Sequence, residues 1–315
     1  MKIRLGYVAN ALRLENCSPS KTITLKHLNK LEEYNDRLSR LSTISRQNLT
    51  NTLRILKANY FDGIAVYRFT SKLIPLCTHP LFVEWDYIRA LQGELEEIGE
   101  FVRGHNMRVS LHPDHYTLLN SPHPEVKASS LRDLEYHIKI LEAMALEEAR
   151  LVLHVGGKYQ DRKAAIKRFK TEYTALPSRI KHRLTLENDD RSFTAAEVLE
   201  ICTELKIPMV LDLHHHRLLN TGEDLTPLLP AIFRSWSKLL PKVHISSPRR
   251  KKNPRHHADY IEVDSVIDFL KATEKLGQDF DLMVEAKKKD LALLKLAEDL
   301  RAKGYHLPTT GEILL

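Results

Sequence analysis

Short apolar runs recur along the chain, each ending in a polar residue and each followed by a stretch whose apolar positions fall at helical spacing. Ile3 to Leu5 leads into Gly6-Tyr7-Val8-Ala9-Asn10, a polar stretch fills Ser18 to Lys26, and a charged helix-like segment begins near Leu28. Arg46 to Asn59 carries Leu49, Leu53 and Leu56 at helical spacing, and Gly63 to Tyr67 then reads as a second strand ending in Arg68. The unit repeats: helix from about Asp86 to His105, then Arg108 to Leu111 ending in His112; helix from about Ser129 to Glu148, then Leu151 to Leu153 ending in His154. A helix from about Arg162 to Lys181 precedes Leu184 to Leu186 ending in Glu187, and one opened by Thr194, with Glu197 in capping-box position, precedes Met209 to Leu211 ending in Asp212. Thr226 to Leu240 precedes Val243-His244, Asp264 to Leu276 precedes Leu282 to Val284 ending in Glu285, and a last helix covers about Lys288 to Lys303.

Eight such strands alternating with helices predict an α/β fold of the (β/α)8 TIM-barrel type, one domain over residues 1–315. Six strands end in a residue able to bind metal: His112, His154, Glu187, Asp212, His244 and Glu285. All strand C-termini of such a barrel meet on one face, so these residues converge although the sequence scatters them. Asp212 opens Asp212-Leu213-His214-His215-His216, and His215 falls three residues later, at the mouth of the following loop. Carboxylate oxygen together with imidazole nitrogen suits Mn²⁺ or Zn²⁺ better than Ca²⁺. A polynuclear metal centre is the expectation, although HHH runs also occur as solvated loops.

Composition narrows the classes. The 315 residues are 43% hydrophobic and 28% charged, which fits a globular chain with a sizeable core. The net charge of +7 favours an anionic partner. Cys17, Cys77 and Cys202 form no CxxC pair, so they suggest neither a disulfide framework nor a zinc finger, and a reducing cytoplasm fits best. Gly6, Asn10 and Arg13 interrupt any apolar core of a signal peptide, and no run approaches the roughly 20 apolar residues that span a bilayer.

With these residues in place, the chain resembles the UV damage endonuclease family, relatives of the endonuclease IV type of apurinic-site nuclease. The matching motifs are Leu5-Gly6-Tyr7, Tyr67-Arg68 with Ser71 and Pro75, His112-Pro113 with Tyr116, Asn120-Ser121-Pro122, His154-Val155-Gly156-Gly157 and Glu187-Asn188-Asp189-Asp190. They continue through Asp212 to His216, Lys242 to Ser247, His256-His257-Ala258-Asp259-Tyr260 and Glu285-Ala286-Lys287. The resemblance implies a xylose isomerase-like or endonuclease IV-like barrel that binds two or three divalent ions, Mn²⁺ first and Zn²⁺ second. Its ligands would be His112, His154, Glu187, Asp212, His215, His244, His257 and Glu285, with Glu187 bridging two ions and Asp259 completing a third site. Glu187, Lys242 and Glu285 would form the catalytic group. His214, His216 and His256 read as outer or solvent-facing, because a strand end cannot aim adjacent residues at one ion.

Lys242 lies two positions before His244, so both side chains point to one side of the strand. It resembles a lysine that is carboxylated near the metals, and a plain ammonium there would need modification or a turn toward phosphate oxygen. Tyr7, Asn10, His115, Tyr116, Arg249, Arg250, Lys251 and Lys252 are the expected DNA contacts. Where the family reads Gly-Gln-Tyr after its His-Pro, this chain reads Asp114-His115-Tyr116, which leaves Tyr116 as a stacking wedge and alters its neighbours. The expected partner is damaged double-stranded DNA, nicked 5′ of the lesion to leave 3′-hydroxyl and 5′-phosphate, with neither membrane nor obligate protein partner implied. The substrates implied are pyrimidine dimers, (6-4) photoproducts and abasic sites, and the enzyme would work in the cytoplasm, at the nucleoid during repair. Two rival readings are a metal-dependent sugar isomerase or epimerase on the same barrel, and a non-catalytic module that binds distorted DNA. The basic run Arg249-Arg250-Lys251-Lys252 with Arg255 speaks against the isomerase, and the complete ligand set against the silent module.

Overall fold

A computed structural model describes every residue except 221, 223 and 251, so Lys251 lies outside the described residues. Its strands in chain order are β1 (Lys2–Val8), β2 (Val66–Arg68), β3 (Arg108–Leu111), β4 (Arg150–His154), β5 (Leu184–Glu187), β6 (Met209–Asp212) and β7 (Lys242–Ile245), then β8 (Pro248–Arg250), β9 (Asn253–His257), β10 (Phe280–Val284), β11 (His306–Thr309) and β12 (Glu312–Leu314). β1 to β7 and β10 pair in parallel in sequence order, and β10 returns to β1 with Ile3 opposite Phe280 and Tyr7 opposite Val284. This is the closed eight-stranded barrel that the alternation predicts. Burial on both faces explains why its strands read as apolar runs rather than alternating ones, as β6 and β10 show with every residue buried.

The helices follow the expected order with shifted ends. The first long helix, Tyr34–Phe61, begins twelve residues before the expected Arg46 and buries Asn48 as well as Leu49, Leu53 and Leu56. Asn48 is legible as core only in three dimensions: its Nδ2 donates to the carbonyls of Lys21, Lys72 and Leu73, and its Oδ1 accepts from Lys21 N at 2.9 Å, tying two loops to the helix. The expected helix over 162–181 breaks into Arg162–Ala175 and Ser178–Lys181 at Pro177, which lacks the N–H a continuous helix needs. Thr194 and Glu197 form the expected reciprocal cap of the helix Ala195–Leu205. The segment expected over 226–240 is helical only at Leu229–Arg234.

One helix and two hairpins carry no clear signal in the sequence. Leu213–Leu218 is a short helix where a loop is expected, β8 and β9 pair as an antiparallel hairpin, and β11 with β12 forms a hairpin whose β12 adds antiparallel to β1. No helix of the described residues is long and apolar enough to cross a membrane.

Close packing between the helical layer and its neighbours fixes one glycine. A Cβ on Gly99, in the helix Gln92–Gly104, would stand 1.9 Å from the carbonyl oxygen of Met144. Because that obstacle is backbone, Gly99→Ala should lower unfolding stability by about 1 to 3 kcal/mol. A urea midpoint equal to that of the unsubstituted protein would show that the helices slide apart at no cost.

Candidate metal centre

Register brings the polar strand ends together. His154 pairs with Glu187 across β4 and β5, and Asp212 pairs with His244 across β6 and β7. Glu187 is the hub: it is 1% exposed, and its Oε2 lies 3.0 Å from His112 Nε2 and 3.3 Å from His154 Nε2, while its Oε1 lies 2.6 Å from His244 Nδ1. His244 Nδ1 also lies 3.1 Å from Glu285 Oε1. Three groups share Glu187 and present ligand atoms within 4.8 Å of one another: His112 with His154, Asp212 with His215, and His244 with Glu285.

Neighbouring groups orient these ligands. The Nδ1 of His112 lies 2.8 Å from the Pro113 carbonyl, and that of His215 lies 2.9 Å from the Asn188 carbonyl, so each ring turns its Nε2 away from its backbone contact. Asp212 is at once the last residue of β6 and the N-cap of the helix Leu213–Leu218, its Oδ1 accepting from His215 N at 2.7 Å. That helix turn brings His215 back over the barrel mouth. Asn188 locks the end of β5 to β6, donating to the Asp212 carbonyl and accepting from Asp212 N, both at 2.9 Å.

The charges are poised for a cation. Burial alone would raise the pKa of Glu187, but the imidazoles of His244 and His154 and hydrogen bonds from His112 and His244 hold it well below the usual carboxylate range. Burial likewise works against the Glu285 carboxylate, and Arg68 and His244 outweigh it and keep it ionised. Asp212 is pushed up to about 7, by burial and then by the Glu187 and Glu285 charges acting against His215. For His215 burial lowers the pKa, yet Asp212 and Glu187 carry it up to about 9. Three crowded carboxylates thus draw positive charge into the site. Among the described residues, Asp212 Oδ2 and His244 Nε2 are buried with no hydrogen-bond partner, as atoms kept for metal would be. The donor set of imidazole nitrogens and carboxylate oxygens therefore fits transition-metal ions.

Other expected site residues lie farther out. His257 ends β9, half-buried with its ring 5.8 Å from that of His214, and Asp259 is exposed; neither joins the three groups. His214 and His216 are buried but join none of the three groups, which fits the outer of the two positions expected for them, while His256 is exposed as expected. Lys242 is buried in the barrel interior, and its Nζ donates to Ser110 Oγ at 2.9 Å. Burial lowers its pKa to about 7, with Asp281 opposing and Arg108, Arg68 and Arg4 reinforcing the shift, so its electrostatic neighbours belong to the layer below the metal ligands apart from Arg68.

Tyr7 requires a correction as a DNA contact. It is fully buried, its hydroxyl donates to Asn59 Oδ1 at 2.6 Å, and its ring meets Tyr67 edge-on with centroids 5.5 Å apart. A side chain clamped between the barrel and the helix Tyr34–Phe61 has no path to duplex DNA. Asn10 is half-buried just past β1, with its Oδ1 enclosed and without a hydrogen-bond partner among the described residues. His115 and Tyr116 are exposed, with Tyr116 OH donating to Asp114 Oδ2 at 2.8 Å and Ser71 Oγ donating to Asp114 Oδ1 at 3.2 Å. Arg249, Arg250 and Lys252 are exposed on the β8–β9 hairpin, which Arg255 ties to Asp190 at 3.0 Å.

Two site residues carry no role in the sequence reading. Arg68, at the end of β2, pairs with Glu285, and Asn188 braces Asp212. Both stand inside recognised motifs, and a strand-end position was the available signal for Arg68.

The family model described as UV-endonuclease UvdE matches residues 3–311. The UV DNA damage endonuclease of Bacillus thuringiensis subsp. konkukian (strain 97-27) is 44% identical over 303 residues, 95% of each chain. The crystal structure of SacUVDE superposes with a TM-score of 0.85 at 31% identity, covering 96% of this chain and 99% of that one. Endonuclease IV from Thermus thermophilus shares the barrel alone, with a TM-score of 0.53 at 15% identity over 95% of this chain and 99% of its own.

Proposed function

The chain belongs to the UV-endonuclease family, and from that premise we propose that it hydrolyses damaged duplex DNA at the phosphodiester immediately 5′ of a lesion. The products are a 3′-hydroxyl and a 5′-phosphate, and the lesions are pyrimidine dimers, (6-4) photoproducts and abasic sites. The observation that carries this reading is the Glu187 hub, which shares three ligand groups on the barrel face where TIM-barrel enzymes work. His112, His154, Glu187, Asp212, His215, His244 and Glu285 would hold two or three divalent ions, manganese or else zinc, with His257 and Asp259 beside them. Such ions supply Lewis acidity to the scissile phosphate and lower the pKa of water.

The chain's own residues do the rest. Glu187 spans neighbouring sites with its two oxygens, Asn188 fixes the Asp212 backbone, and Arg68 keeps Glu285 charged. Lys242 stands beneath, and a pKa near 7 keeps part of it as the neutral amine from which a carboxylated lysine forms. The reading takes residues 1–315 as one nuclease domain acting in the cytoplasm and at the nucleoid.

Nicking of UV-irradiated supercoiled plasmid, with and without chelator, tests it. Metal-dependent nicking of irradiated but not intact plasmid is the expected result. Ketose interconversion in its place would support the epimerase reading, and tight lesion binding without cleavage the silent module.

The exposed cations of the β8–β9 hairpin serve duplex phosphate without reading sequence. Replacing Arg249, Arg250 and Lys252 by Gln should weaken damaged and intact DNA alike and reduce the salt slope by about 0.9 for each phosphate that is no longer neutralised. An unchanged slope in fluorescence anisotropy would assign the hairpin to bystander surface.

Tyr116, 56% exposed, is the stacking wedge at the lesion, and Asp114 steadies its hydroxyl. Stacking on an aromatic ring contributes on the order of 1 to 3 kcal/mol, so Tyr116→Ala should weaken binding to a dimer-containing duplex about tenfold and leave intact duplex nearly unaffected. Equal losses on both duplexes would mean that the ring only supports its loop.

A further inference from the structure

The opposite end of the barrel holds a second concentration of charge. Arg4, Arg108 and Arg150 come from the early residues of β1, β3 and β4, which places them at the N-terminal mouth, away from the metal ligands at the strand C-termini. They line a cavity of about 730 Å³, within the range of about 300 to 1,000 Å³ that small ligands occupy. Its wall includes Met107, Val109 and Trp236.

The cations there are poorly compensated. Arg4 and Arg108 share one fully buried carboxylate, Asp281, at 3.1 and 2.7 Å. Arg150 forms no ion pair among the described residues: its Nη1 reaches only the carbonyls of Glu147 and Ala149, at 3.2 and 3.3 Å, and its Nε is buried with no partner. Burial, and then the charges of Arg183 and Arg108, lower the Arg150 pKa against a smaller opposing effect of Glu148. Glu147 and Glu148 are exposed, where water screens them.

Guanidiniums lining one concave, partly apolar cavity suit a dianion with several acceptor oxygens. Arg4, Arg108 and Arg150 face one carboxylate, Asp281, so two positive charges remain and a single carboxylate would offset only one of them. The cavity admits a small molecule, whereas a duplex needs an open groove. We propose that the N-terminal mouth of the barrel binds a small phosphate monoester with an apolar or aromatic body, of the nucleoside monophosphate class. The phosphate lies between Arg150 and Arg108, and the body rests toward Met107 and Val109. The cavity lies toward the end of the barrel away from the metal ligands, and Lys242, the first residue of β7 beneath those ligands, also lines it.

Titration calorimetry on the 315-residue chain with deoxythymidine 5′-monophosphate as probe tests it, with thymidine as the uncharged control. Because phosphate oxygens also bind metal, each variant is compared with Glu187→Gln. The expected result is saturable binding of the monophosphate but not of thymidine, unchanged in Glu187→Gln and weakened about tenfold to a hundredfold in Arg150→Leu. Arg150→Lys, which keeps the charge and loses the fork, should fall between. Circular dichroism confirms that the variants fold. Binding that disappears in Glu187→Gln and survives in Arg150→Leu would place the ligand on the metals and overturn the proposal, as would the absence of binding to the unsubstituted protein.

Discussion

Glu187→Gln should abolish nicking, by on the order of a thousandfold or more, while the protein remains folded. The carboxylate touches three imidazoles and shares all three ligand groups, so its charge is used more than once. An amide has the same volume and leaves the barrel packing intact. It offers one acceptor oxygen in place of two, however, and no charge to offset a pair of cations. Preorganised charge at a reacting centre commonly contributes two to three powers of ten in rate for a single donor, and a shared ligand should exceed that. Elemental analysis of the purified variant should show fewer metal ions per chain than the unsubstituted protein. Full metal content with full activity would remove Glu187 from the centre of the site, whatever the family.

Much of that site is legible in the sequence because parallel barrel strands are buried on both faces. Each reads as a compact apolar run, and a His, Glu or Asp at its end is conspicuous. Fold closure then converts six such ends into one cluster, as the register of His154 with Glu187 and of Asp212 with His244 demonstrates. Less legible is whatever depends on where a side chain points. Tyr7 lies on β1 beside Gly6 and Val8, in a motif shared with the family, yet it turns toward Asn59 and leaves the mouth. Helix Leu213–Leu218 is only one and two-thirds turns long, too short for a hydrophobic period, and its cap is the candidate ligand Asp212 itself. The β8–β9 hairpin is charged along its length and has no alternating apolar face, so only its cross-strand pairing reveals it. The cationic layer below the candidate metal ligands is invisible for another reason. Arg4, Arg108 and Arg150 stand near strand starts, where a basic residue ordinarily marks a solvated boundary.

That lower layer has its own consequence for stability: Asp281→Asn should lower unfolding free energy by on the order of 3 kcal/mol. Asp281 has no exposed side-chain surface and accepts from Arg4 Nε at 3.1 Å and from Arg108 Nε at 2.7 Å. Removing one member of a buried ion pair leaves the other charge uncompensated, at about 3 to 5 kcal/mol when enclosure is complete. Here the side chains of Arg4 and Arg108 are 21% and 22% exposed, so water recovers part of the loss and the low end applies. Asn is isosteric, which makes the change electrostatic rather than a matter of packing. Lys242 is also affected, since Asp281 is the carboxylate that supports its protonated form against burial. With Asp281 neutral, the Lys242 pKa falls further below about 7, and neutral amine dominates there at neutral pH. Urea denaturation measures the first effect through a lower midpoint at unchanged slope. A loss under about 1 kcal/mol would mean that Arg4 and Arg108 turn out to solvent, and that the lower layer of the barrel is looser than its contacts indicate.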